Sequence, residues 1–89
     1  MSTVTGTFSG TGSSSVCTGR CIDIVMNFAG TASVDVERQM PDGDWIKLET
    51  GITADYNGVA EFPANTAVRL TCTAHTDAVE YGLRTGPGG

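Results

Sequence analysis

The sequence predicts an all-β domain: a small antiparallel β-sandwich, or a partly closed barrel, of about six to eight short strands. Three observations lead there. Apolar residues recur with a period of two over most of the stretch from Cys21 to Arg84. Clusters of Gly, Pro, Asn and Asp separate the periodic runs. Thr (13) and Gly (12) dominate while charged residues make up only 17% of the chain, a composition that suits pleated strands and tight turns better than helices.

The elements follow in order. Residues 1–15 are Thr, Ser and Gly around two apolar anchors, Val4 and Phe8. Alone they bury too little surface to offset their chain entropy, so they are expected as an extended polar arm or an edge strand. Residues 16–85 form the β domain, and 86–89 (Gly-Pro-Gly-Gly) read as a flexible tail. In Cys21–Phe28, Ile22, Ile24, Met26 and Phe28 share one face. In Thr31–Met40, Ala32, Val34, Val36 and Met40 face inward, joined by the aliphatic stem of Arg38. Asp35 and Glu37 then face solvent, where charge is normally hydrated.

Pro41-Asp42-Gly43-Asp44 predicts a hairpin turn into a strand over Trp45–Thr50, with Ile46 and Leu48 on one face and Trp45 and Lys47 on the other. Asp55-Tyr56-Asn57-Gly58 predicts another turn, followed by a short strand, Val59–Phe62, closed by Pro63. Thr66–His75 turns Val68, Leu70, Cys72 and Ala74 inward. Thr76-Asp77 reverses the chain, and Ala78–Arg84 places Val79, Tyr81 and Leu83 on the core side.

Charge and composition restrict the function classes. A net charge of -5 and a pI near 4.4 argue against direct contact with nucleic acid or anionic lipid. No apolar run approaches the roughly 20 residues of a membrane span, and no signal-peptide pattern opens the chain. Three cysteines are too few for a disulfide scaffold and point to a reducing compartment.

Candidate chemistry is sparse. Cys17, Cys21, Cys72 and His75 are the soft metal ligands, but Cys72 and His75 sit three apart on one strand and point to opposite faces, so no zinc site is expected. A short-loop Cys17–Cys21 disulfide is the alternative to thiols. Asp42, Asp44 and Asp55 supply too few ordered oxygens for a calcium loop. A nucleophile–base dyad would have to use His75, the single histidine, and no Gly-x-Ser-x-Gly elbow is present. The expectation is a non-enzyme without a cofactor. Trp45, out of phase with Ile46 and Leu48, either covers the outer face of its own sheet or anchors a partner.

The stretch Gly30–Leu48, with Val34-Asp35-Val36-Glu37-Arg38 followed by Pro41-Asp42-Gly43-Asp44-Trp45, resembles a β-hairpin pattern of small virion proteins of tailed phages. There the hairpin reads roughly Gly-Thr-x-x-Val-x-Val-Glu-Arg-Ser-x-Asp-Gly-Gly-x-Thr-Trp; here the turn is one residue shorter. Ala67–Thr73 and Val79–Arg84 resemble the closing strands of the same proteins, so the likeness spans about residues 20–85. The resemblance implies an immunoglobulin-like or other β-sandwich unit. It also implies a structural role on the virion: a decoration, cement or head-fibre subunit bound to the major capsid protein. Such a protein is made in the host cytoplasm and sits on the capsid surface as a homo-oligomer, with a trimer as one form. The other role the resemblance allows is a tail fibre or baseplate module that recognises a host glycan. Val4, Phe8 and Trp45 are the expected partner-binding residues. Removing residues 2–12 is expected to leave the domain folded and to abolish partner binding.

Overall fold

The computed structural model describes residues 3–85. They form seven strands and no helix: β1 (Thr3–Phe8), β2 (Gly12–Ser13), β3 (Cys17–Phe28), β4 (Ala32–Gln39), β5 (Trp45–Ile52), β6 (Tyr56–His75) and β7 (Val79–Thr85). All pair antiparallel in one sheet of order β1-β7-β3-β6-β4-β5, with β2 added beside β6. The sheet does not close into a barrel, because β1 and β5 do not meet.

Two long strands fold this sheet over on itself. β3 pairs through Cys17–Gly19 with Thr66–Val68, and through Cys21–Met26 with Tyr56–Glu61. Between these registers β3 leaves one residue, Arg20, and β6 leaves four, Phe62 to Asn65. Such a mismatch bends a strand sharply. Pro63 lies in the bend, where no ladder N–H is required of it. One half of the sheet is then β1, β7, Ile22–Phe28 and Tyr56–Glu61; the other is β2, Cys17–Gly19, Thr66–His75, β4 and β5. The shortest dimension, 17 Å, fits two β layers about 10 Å apart.

A single core fills the fold. Ile22, Ile24, Met26, Val79 and Leu83 from one half meet Val34, Val36, Val68, Leu70 and Cys72 from the other. A flat sheet cannot dry its residues to this degree, so the burial itself requires the fold-over. Two turns at one end are latched together: the Thr31 N–H donates to Asp77 Oδ2 at 2.8 Å, and the Thr31 carbonyl accepts from the Asp77 N–H at 2.9 Å.

Local corrections to the expected elements have physical causes. Tyr56, Asn57 and Gly58 lie in β6 rather than in a turn, because β3 offers Met26, Val25 and Ile24 as ladder partners. Pro63 bends β6 without ending it. Ala74 faces solvent, since the register shifts between Ser33 and Val34 and reverses the alternation beyond Cys72. Residues 3–8 form an edge strand, and within it Phe8 is 7% exposed and stacks on Tyr81 with ring centroids 4.6 Å apart. Removing residues 2–12 would therefore extract a core side chain, and the truncated domain is no longer expected to keep its stability. The expected tail, residues 86–89, lies outside the described residues.

Candidate interaction surfaces

The outer face of β4, β5 and β6 holds a buried charge ladder that the sequence reading placed in solvent. Asp35 and Glu37 are only 3% and 8% exposed. Asp35 Oδ1 accepts the Gly51 N–H at 2.9 Å, and its Oδ2 pairs with Lys47 Nζ at 2.9 Å. Glu37 Oε1 accepts from Arg69 Nε and from the Thr71 hydroxyl, each at 2.7 Å. The Arg69 guanidinium in turn lies 4.1 Å from the centre of the Trp45 ring. Register explains the gathering. Glu37 stands opposite Lys47 on one side and Arg69 on the other, while Asp35 stands opposite Thr71.

These partners set the protonation of the ladder. The Gly51 N–H holds the Asp35 carboxyl below its ordinary range against the opposing effect of burial, with help from Lys47. Burial pushes Glu37 upward, but Arg69, Thr71 and Lys47 together outweigh it, and its net displacement is downward. Lys47 is raised by its bond to Asp35, and burial raises the Cys72 thiol.

A second region is the open seam where the sheet fails to close. On the interior-facing phase of β5, Ile46 and Leu48 remain 46% and 40% exposed, and Val59 of β6 is 60% exposed. Leu48 and Val59, with Tyr56, Phe62 and Val36, border a cleft of about 210 Å³ between β5 and β6. The expectation that Ile46 and Leu48 sit inward is right in phase. Burial is incomplete because, among the described residues, no strand lies beyond β5 to cover them. Beside this cleft, Arg38 lies 4.9 Å over the Phe62 ring and opens onto a larger cavity of about 520 Å³ between the β4–β5 turn and the β6 bend.

The third region is β1, whose outer edge pairs with no strand among the described residues. Its alternation is strict: Thr3, Thr5 and Thr7 are exposed, whereas Val4, Gly6 and Phe8 turn inward. On the outer face, Thr5, Gly82 and Val25 line up across β1, β7 and β3, and Gly82 leaves a shallow groove there.

The structure thus disperses the residues expected to bind a partner. Val4 packs against the core and Phe8 is part of it, so neither presents a side chain outward. Trp45 is half-buried on the outer face against Arg69, the covering role the sequence allowed it. The exposed apolar group Ile46, Leu48 and Val59 was missed, because alternation marks phase and does not reveal which strand is last. No disulfide joins the cysteines. Cys17 and Cys21 lie four apart along β3, a span of roughly 13 Å that no disulfide bridges. Among the described residues no three metal-ligating side chains converge. His75 Nε2 donates to the Phe8 carbonyl at 3.2 Å, and Asp42 and Asp55 accept backbone N–H groups from Asp44 and Phe28, at separate turns. No family model, no curated protein and no solved structure matches this chain.

Proposed function

We propose that this protein is a structural binding module whose working surface is the open seam beside the β4–β5 hairpin. In the more specific form of the proposal it is a tailed-phage virion subunit, held on the major capsid protein as a decoration, cement or head-fibre component. One observation carries the reading. The segment that resembles virion hairpins, Gly30–Leu48, folds as the β4–β5 hairpin and bears the exposed apolar pair Ile46 and Leu48 at its rim. Contiguous apolar side chains at an uncovered sheet margin are what a partner surface uses for affinity. The acidic body suits high copy number, since like-charged copies repel one another in solution.

The test is to mix the purified protein with empty shells assembled from the candidate capsid protein and to image native particles by electron microscopy. Density at capsomer positions, together with loss of shell binding in Ile46→Asp/Leu48→Asp, is the expected result. Density on the tail would move the role to a fibre or baseplate module. Absence from the particle would end the virion reading, and full binding by the double variant would end the seam assignment.

A further inference from the structure

We infer that the free edge of β1 pairs with β1 of a second copy, in an antiparallel two-fold dimer that continues the sheet. This goes beyond the seam proposal and does not depend on it. A terminal strand exposes unpaired N–H and C=O groups and recruits another strand unless something blocks it. Among the described residues β1 meets one such block, and only at its end, where His75 Nε2 donates to the carbonyl of Phe8. Thr3–Phe8 contains no charge and no proline, and its six pairs with β7 run without a register shift.

Charge selects the partner. In a chain of net charge -5, most surfaces bring like charges together when two copies meet. β5, the other terminal strand, carries Lys47 and Glu49 and is irregular in its pairing. β1 is the terminal strand on which two copies meet without charged side chains opposite one another. Its pattern is also self-complementary. Directly opposed residues of an antiparallel pair share a face, so only registers that match odd with odd keep threonines outside and Val4, Gly6 and Phe8 inside. The register centred on Thr5 sets Thr5 opposite its own copy and Thr3 opposite Thr7, a row of cross-strand threonine pairs of the stabilising kind. Such an interface is isologous and closes at two copies, not at the three the sequence analysis allowed.

One six-residue ladder buries little area, so the dimer belongs with weak interfaces below about 1,200 Å². Sedimentation of the full chain between about 10 μM and 1 mM should show the 9.2 kDa species passing to twice that mass. Thr5→Lys sets two lysines face to face, and Thr5→Glu two glutamates. Each should weaken association at least tenfold with the melting temperature of the monomer unchanged. An equimolar mixture of the two variants should restore the dimer through Lys–Glu pairing across the edge. Thr3→Lys/Thr7→Lys, which sets lysine against lysine twice in the same register, is the substitute should either variant misfold. A wild-type chain that stays monomeric at the highest concentration, or that forms trimers, overturns the proposal. So does dimerisation unaffected by Thr5→Lys, and a mixture that fails to reassemble removes the register.

Discussion

β5 and β1 end the same sheet path, and their chemistry differs at every level. β5 is bulged: its register against β4 shifts twice between Val34 and Glu37, and Gly51 sits at φ +65. The Asp35 side chain caps the displaced Gly51 N–H, and Lys47 of β5 holds that same carboxylate. β1 has no bulge and no charge, is capped by a side chain only at its end, where His75 meets the Phe8 carbonyl, and is held by β7 and by Phe8 in the core. One terminal strand is therefore specified by buried polar contacts and resists further pairing. The other is specified by apolar anchors, Phe8 in the core and Val4 against it, and its outer edge meets no strand among the described residues. The difference teaches that the two margins of one small sheet can serve separate ends: side-chain contact at the seam and main-chain contact at β1.

The largest expected effect tests the anchor. Phe8→Ala removes a buried ring that stacks on Tyr81 and should lower stability by about 3 kcal/mol. In a domain of this size that displaces the thermal midpoint by more than about 10 °C. A small change would mean that β1 is held by its ladder alone. Glu37→Ala comes next. It strips Arg69 and Thr71 of their shared acceptor and should cost about 2 kcal/mol, read in a urea titration. Glu37→Gln should cost less, because an amide oxygen still accepts from Thr71.

How far the sequence revealed this contrast follows from what periodicity encodes. Alternation from Ile22 to Val36 and from Val68 to Cys72 gives the inner faces, and those side chains make the core. The Pro41–Asp44 turn is where it was expected, with the Met40 N–H donating to the Asp44 carbonyl and the Gly43 N–H to the Met40 carbonyl. Pairing order has no such local signature. The burial of Asp35 and Glu37 depends on β5 and β6 flanking β4, and nothing within Thr31–Met40 encodes which strands those are. The same ignorance hid the seam: Ile46 and Leu48 alternate like core residues and are exposed only because β5 is terminal.

Acid should weaken the β5 side selectively. Both Asp35 and Glu37 titrate below their ordinary values in the folded protein. Their contribution is thus complete above the unfolded carboxylate range near pH 4, and declines as pH falls through that range towards the lower folded values. Denaturation monitored from pH 7 to pH 2 should show this decline, and Asp35→Asn/Glu37→Gln should flatten it. If the double variant keeps the full acid slope, the sensitivity originates in other carboxylates and the ladder is not what sets β5 apart. Lys47 is raised in the folded state, so its small share is present below the ordinary lysine range and fades at more alkaline pH.

The smallest effect isolates the bulge from the charges around it. A Cβ at Gly51 would meet nothing within 4 Å, so any loss in Gly51→Ala comes from backbone conformation alone. At φ +65 an alanine is strained by about 1 kcal/mol, whereas asparagine tolerates the left-handed region better. Gly51→Asn should therefore retain part of the stability that Gly51→Ala loses, measured as a difference in urea midpoint at constant slope. Both should leave any self-association through β1 untouched, because the bulge lies at the opposite end of the strand order. Equal losses from alanine and asparagine would show that Gly51 is not held in the left-handed region. The Asp35 cap would then be following the bulge rather than fixing it.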